Sequence, residues 1–488
     1  MAKKIILGLL AFFLITLVVN FYYLFALQKN VKQYLSFNFN KSDNEELIEN
    51  TSKKIVKNYE KINKNIKKII FRDFSEDLSQ ILPHFFKENK FSYLVILQNS
   101  DELRATGGFM GSYSFIEFSR GMWNLTPIDD IYSVAGQQTK YPASPPGHYE
   151  YLSEGKGLFI QDANWWPDVP SSATKILEIW QDIANHSPYL DQDRKIAGIV
   201  FLNLNFIENL LEEIGPIQLS DYEESISADN FAEIARANRL DFFAGSKEKA
   251  NFLNHSKVAI ENRLAQLSNQ EKIDLIKLIN NNLINKNIQL YTQDLALQTI
   301  WQKHNFAGQL LKKNSDSFYF FSVETNVGIN KANRLVNREF HFYLNNDQQI
   351  EQISLNFTNQ NQIPTTINTN PDLKTADHLT YVNYQRLYFS PETVIKQIKL
   401  INSEKDIKNI SFTSQSYLNP KGQEFLEISF LLEVPEQKQL QVLIDLVNNN
   451  SFKNLEIQKQ AGIKQIPIYL YQNQKLIKNW TLLGDQLE

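Results

Sequence analysis

Two short stretches of this chain concentrate side chains that can do chemistry. The first is Asn99-Ser100-Asp101-Glu102-Leu103-Arg104-Ala105-Thr106-Gly107-Gly108, directly after the apolar run Tyr93–Leu97. The second is Gln161-Asp162-Ala163-Asn164-Trp165-Trp166-Pro167-Asp168. Arg104 offers a planar fork for a phosphate or a carboxylate. Gly107 and Gly108 permit positive φ and leave backbone amides open to an anion. Asp162 and Asp168 supply oxygen ligands for a divalent cation such as magnesium. Asn99, Glu102 and Asn164 complete a polar ligand-binding set, and Trp165 offers a flat face on which a sugar can stack. The same residues also admit a structural reading. Glu102 and Arg104 can pair and close a strand end. Asp168 can satisfy backbone donors at a helix start near Ser171, and the tryptophans can be core.

Other chemistries are excluded. The 488 residues include no cysteine, which removes thiol catalysis, disulfides and Cys-ligated zinc. The seven histidines are scattered without ligand spacing. There is no H-E-x-x-H, G-x-S-x-G or complete G-x-x-x-x-G-K-[ST] pattern; Gly155-Lys156-Gly157 lacks the hydroxyl residue that would meet magnesium. A formal charge of −4 argues against a nucleic-acid partner.

Both stretches need strands and helices to hold them. Strands are expected at Phe91–Leu97, Gly111–Phe118 and Trp123–Thr126, with Ser119-Arg120-Gly121 as a hairpin turn. Ser171 or Ser172 can cap a helix running through Trp180. Ile196–Leu202 reads as a buried strand, and Asn205 with Glu208 as the capping box of the next helix. Gly215-Pro216 ends that helix before a strand at Ile217–Leu219. Lys247–Ile284 reads as two amphipathic helices, and Ile288–Tyr291 and Phe318–Val323 as strands. Asn326 to Lys331 reads as an interdomain hinge. From Arg334 on, short alternating segments recur: Val336–Leu344, Ile353–Phe357, Leu379–Phe389, Phe425–Leu432 and Ile466–Leu470. The expected fold class is an α/β core domain, a mixed sheet with helices over 91–330, followed by an all-β immunoglobulin-like sandwich over 331–488.

The N-terminus sets the location. Residues 5–27 are nearly continuously apolar after Lys3 and Lys4. As a helix they span about 34 Å, enough for one transmembrane pass. The run is too long for a signal-peptide core and ends in Tyr22, Tyr23 and Phe25 rather than a small-residue cleavage site. The expectation is a single-pass signal anchor in the plasma membrane. Residues 1–4 stay in the cytoplasm and everything from Gln28 faces outward. Residues 28–90 form a basic helical stalk whose Ile48, Ile55, Tyr59, Ile62, Ile66 and Ile69 make one apolar stripe.

The segment Tyr93–Tyr113 resembles the signature of the bacterial domain-of-unknown-function family 4012. Further stretches fit that family in the same order: Gln161–Ala173, Ile196–Ile217, Asn326–Lys331 and Tyr384–Tyr388. The resemblance covers roughly Leu82 to Leu432 and brings no established activity. The region Ala197–Leu219 is similar, more distantly, to the LytR-CpsA-Psr phosphotransferases. That likeness implies an envelope protein acting on a lipid-linked glycan or cell-wall polymer, with arginines, carboxylates and magnesium on a polyprenyl pyrophosphate. The arginine-aspartate pair of that family reads Gln161-Asp162 here. A non-enzymatic adhesion or assembly protein of the cell surface is the alternative.

Overall fold

The computed structural model describes residues 77–85, 89–237, 248–362, 379–447 and 454–487, except 121, 154, 221, 223, 313 and 315, together with 46, 47, 50, 51, 53, 54, 56 and 57. The apolar run 5–27 and the residues of the stalk stripe lie outside these. Among the described residues no helix is long and apolar enough to cross a membrane. The chain divides into two compact units. The first holds residues up to Leu97, Met110–Thr139 and Trp180–Ala307; the second holds Gln98–Phe109, Lys140–Ile179 and Gly308–Glu488.

The first unit is a mixed α/β layer. Its sheet uses β1 (Phe91–Asn99), β2 (Phe109–Ser119), β3 (Met122–Leu125), β4 (Asp129–Asp130), β5 (Ile196–Asn203) and β6 (Ile288–Thr292). The order is β3-β2-β1-β5-β6, with β4 also on β2, and β5 and β6 run antiparallel. Tyr93, Val95, Ile116, Phe118, Val200 and Leu290 join Leu210, Leu264, Leu275, Leu283 and Trp301 from helices in one core. Two expectations are corrected here. The helix Leu204–Ile214 is capped by Asn203, whose side chain accepts from the Phe206 amide, while Asn205 bonds instead to Asn287. The strand expected at Ile217–Leu219 is a single bridge between Ile217 and Ile226. Gly215, at φ 79, does turn the chain out of the helix.

The second unit is β-rich. One sheet has the order β13-β14-β10-β7-β16-β19, built from β7 (Ser317–Asn326), β10 (Tyr381–Phe389), β13 (Thr413–Leu418), β14 (Glu424–Val434), β16 (Asn454–Gln458) and β19 (Gln486–Leu487). The other has the order β12-β11-β15-β9-β8-β17-β18. It uses β8 (Val336–Leu344), β9 (Ile350–Asn359), β11 (Val394–Asn402), β12 (Ile407–Asn409), β15 (Gln439–Val447), β17 (Ile466–Gln472) and β18 (Lys475–Leu482). Phe320, Leu387, Ile428 and Ile457 of the first sheet share one apolar core with Phe340, Phe342, Leu355 and Val442 of the second. Strand alternation explains this, since every second residue faces the partner sheet. β7, read from sequence as the last α/β strand, is hydrogen-bonded between β10 and β16 in this unit.

β7 and β10 are the central strands, and both of their faces are buried. One face meets the other sheet. On the opposite face, Tyr319, Phe321, Val323 and Tyr388 pack with Ala105 and Leu310. Loop segments of the same unit therefore cover the sheet where a two-sheet sandwich would meet water. Within the expected hinge at Asn326–Lys331, Asn326 and Asn330 are buried in a polar knot, while Ile329 is exposed. Asn326 Nδ2 donates to Asn330 O, Asn330 Oδ1 and Asn333 Oδ1, and the Leu103 amide donates to Asn333 Oδ1 at 3.1 Å. Backbone groups bonded on this scale do not behave as a linker.

Candidate functional site

All nine residues singled out from sequence belong to the second unit. The Asn99–Gly108 segment folds into a self-bonded loop. Asn99 Oδ1 accepts from the Asp101 amide, Asn99 O accepts from the Glu102 amide, and the Phe109 amide returns to Glu102 O at 2.8 Å. Gly108 sits at φ +152, and a Cβ there would lie 2.3 Å from Asn99 O. The chain thus crosses its own backbone at a point only glycine fits. The Gly107 amide is used by Arg104 O at 2.9 Å. The glycine pair is therefore required by the loop itself, and the Gly107 amide is not turned toward a ligand.

Arg104 is the loop's centre. Only 2 % of it is exposed. Its Nη1 donates to Asn326 O at 2.6 Å and more loosely to Leu103 O at 3.4 Å, and Nη2 donates to Glu102 Oε1 at 3.0 Å. The same Nη2 stands 3.5 Å from Asp162 Oδ1, close enough for an ion pair but not aligned as a hydrogen bond. Gln460 Nε2 holds the Arg104 carbonyl at 3.1 Å. Two buried carboxylates thus share one guanidinium. Burial, with the negative charge of Glu102, pushes Asp162 up to about 6 against the downward pull of Arg104.

The second stretch divides between this cluster and a helix cap. Asp162 closes the short turn Ile160–Asp162. Asn164, fully buried, donates from Nδ2 to Thr106 Oγ1 at 2.9 Å and to Gly108 O at 2.8 Å, tying the two stretches together. Trp165 is in the core, stacked on Tyr384 at 5.6 Å between ring centroids, with the Arg386 guanidinium 4.6 Å over it and His148 edge-on at 5.4 Å. Asp168 caps the helix Val169–His186, which begins two residues before the expected serine cap. Its carboxylate accepts from the Ser171 amide at 2.8 Å, from Ser171 Oγ at 2.9 Å and from the Tyr417 hydroxyl. Pro170 lies in the first turn, where its missing N–H costs nothing.

Asp162 and Asp168 do not fit a shared divalent ion. Asp168 already accepts three hydrogen bonds, and Asp162 faces a guanidinium. Among the described residues no group of three or more His, Asp or Glu side chains is arranged to hold a metal.

The sequence reading did not single out Arg386 and His148. Arg386 is 2 % exposed and lies on β10 between Tyr384 and Tyr388 on the same face. Nη2 donates to Thr325 Oγ1 at 3.0 Å, Nε has no protein partner, and no carboxylate among the described residues lies within ion-pair distance. His148 is fully buried, with Nδ1 at 3.0 Å from Ser144 Oγ and Nε2 without a partner. Burial, then the positive charges of Arg104 and Arg386, pull His148 down to about 4. The available signal was an arginine and a glutamine inside an apolar strand, Tyr-Val-Asn-Tyr-Gln-Arg-Leu-Tyr-Phe. An interior strand carries such residues only where something satisfies them.

Residues 88–239 match the family described as "Protein of unknown function (DUF4012)". The match includes both stretches and ends before Asn326–Lys331 and Tyr384–Tyr388. No curated protein matches the chain. Solved structures that resemble it include protein gbs0355 from Streptococcus agalactiae, with 12% identity, 45% of this chain, 74% of that chain and TM-score 0.25. Another is the Lin1025 protein from Listeria innocua, with 10% identity, 45% of this chain, 80% of that chain and TM-score 0.21. A third is B. subtilis TagV, with 13% identity, 46% of this chain, 81% of that chain and TM-score 0.25. Similarity at these scores carries no argument about activity.

Proposed function

We propose that this chain is a single-pass, outward-facing protein of the cell envelope that binds a surface glycan or its polyprenyl-pyrophosphate-linked precursor, and that it binds without transferring phosphoryl groups. The membrane part of this reading rests on Lys3, Lys4 and the apolar run 5–27. The observation that supports binding over transfer is the state of Arg104. Its two terminal nitrogens are committed to Asn326, Leu103, Glu102 and Asp162, inside a loop that is itself closed by hydrogen bonds. A transferase arginine must keep donors aimed at the place where charge develops on the transferred group. Arg104 is instead held at a buried junction. We read the second unit as an immunoglobulin-like sandwich without a disulfide, with the parallel pairs β7–β16 and β8–β17 as departures from purely antiparallel order.

One observation favours the second reading, an assembly or adhesion protein with protein partners. Strands β12 and β13 are sheet edges and expose Ile407 and Leu418 at 66% and 63%. Exposed apolar edges invite strand addition by another chain. Both readings share the topology, which a reporter fused after Glu488 tests. Activity is expected only from a reporter that works outside the cytoplasm. A signal from a reporter that works only in the cytoplasm would remove the envelope assignment.

A further inference from the structure

We propose that Arg386, flanked by Trp165, Thr325 and His148, is the oxyanion-binding centre of the second unit, taking a phosphate or carboxylate group of the ligand. This rests on the reading of the chain as a ligand-binding envelope protein and names the residue that would do the binding.

The argument begins with charge compensation. A buried guanidinium is stable only when paired or well hydrogen-bonded. The protein contains controls for that rule. Arg104 has Glu102 and Asp162. Arg338, also buried, has Glu324 through two bonds, at 2.5 and 2.7 Å. Arg386 has one neutral hydroxyl, Thr325, and the face of Trp165. The carboxylate on its own sheet face, Glu427, stands across the strand pair from Tyr388 and is committed to the Tyr388 hydroxyl at 2.7 Å and Gln415 Nε2 at 2.9 Å. One positive charge in this interior is thus left without an ion-pair partner among the described residues.

The donor set matches an oxyanion. Arg386 keeps Nε for the side-on fork that recognises carboxylate and phosphate. His148 adds Nε2. Nδ1 stands 3.0 Å from Ser144 Oγ, and the neutral tautomer in which that nitrogen accepts carries its proton on Nε2, where it can donate to an oxyanion. Trp165 touches both residues and orients them, Arg386 over its face and His148 against its edge. Gly147, next to His148, packs so closely on Tyr384 that a Cβ would lie 2.3 Å from the ring. The backbone that carries His148 is thereby fixed on β10, two residues from Arg386.

The experiment uses the full chain in detergent, at constant ionic strength, with inorganic phosphate, pyrophosphate and acetate as probes. Thermal midpoint and tryptophan fluorescence are read together. The expected result is a concentration-dependent rise in midpoint, with a fluorescence change, for the parent protein. Pyrophosphate acting tighter than acetate assigns phosphate chemistry, and the reverse order assigns a carboxylate. Arg386→Gln should weaken the response at least about tenfold, the loss of one charge-assisted fork. In anion-free buffer it should be as stable as the parent or more so, because it removes an uncompensated charge. Arg386→Lys keeps the charge but not the fork, and should also lose about tenfold if Arg386→Gln does not fold. The proposal is overturned by a parent that responds to none of the three anions, or by either variant binding as the parent does. A parent that retains isolated envelope glycan while ignoring all three anions defeats this site and leaves the envelope reading standing. A cytoplasmic reporter signal does the opposite.

Discussion

Replacing Arg104 by Ala separates a junction residue from a ligand-binding one. The substitution removes a side chain that is 2 % exposed, its 2.6 Å bond to Asn326 O and its contacts with Glu102 and Asp162. It leaves two carboxylates, each 11% exposed at the side chain, without a cation. Removing one partner of a buried ion pair costs about 3–5 kcal/mol, because the remaining charge stays desolvated. Asp162 can offset part of this by taking up a proton, which places the expectation near the lower end, at about 3 kcal/mol. For a unit of this size, 1 kcal/mol moves the midpoint by about 2–4 °C, so a fall of roughly 6–12 °C is expected. Thermal and urea unfolding of parent and variant measure it. The triple variant Arg104→Met, Glu102→Gln, Asp162→Asn should recover much of the loss, since no bare charge then remains. A midpoint unchanged within about 2 °C, together with lost binding of pyrophosphate, would refute the reasoning and return Arg104 to the ligand.

Two further outcomes concern the two aspartates of the second stretch. Asp168→Ala should cost about 1–3 kcal/mol, from loss of the helix cap and of the Tyr417 partner, and Asp168→Asn should cost less; urea midpoints check both, and an unchanged Asp168→Ala midpoint would contradict the cap. Asp162 sets a pH dependence: its folded value, about 6, lies above its ordinary 3.8, so between those values the folded state binds more protons than the unfolded one. Its contribution to stability therefore falls as pH rises from about 4 to about 6 and is level above that, and Asp162→Asn should lose this slope and gain most over the parent at pH 7 and higher. Unfolding series from pH 4 to 8 on both proteins measure the difference, and parallel curves would show that Asp162 ionises like an exposed carboxylate.

The period-based parts of the fold were legible in the sequence because burial alternates there. Val336–Leu344 was read with the bounds it has, and its observed burial also alternates, with Phe340 and Phe342 inward and Glu339 outward. Local cap chemistry was legible to within a few residues. Asn203, Asn205 and Asp168 all carry cap-competent side chains, and only the surrounding packing decides which is used. What the sequence did not reveal was long-range satisfaction. Arg104 meets Asn326, 222 residues away, and Tyr417 meets Asp168, 249 residues away. No spacing rule reaches that far. The polar residues of β7 and β10 were hidden for a related reason. Glu324 and Thr325 lie just past the strand read as Phe318–Val323, and Gln385 and Arg386 lie in the alternating segment Leu379–Phe389, yet both faces of β7 and β10 are buried. Loop segments laid over the second face make Thr325 and Arg386 interior, while Glu324 and Gln385 face the other sheet, where Glu324 meets Arg338. That burial makes Arg386 the charge on which the proposed ligand site rests.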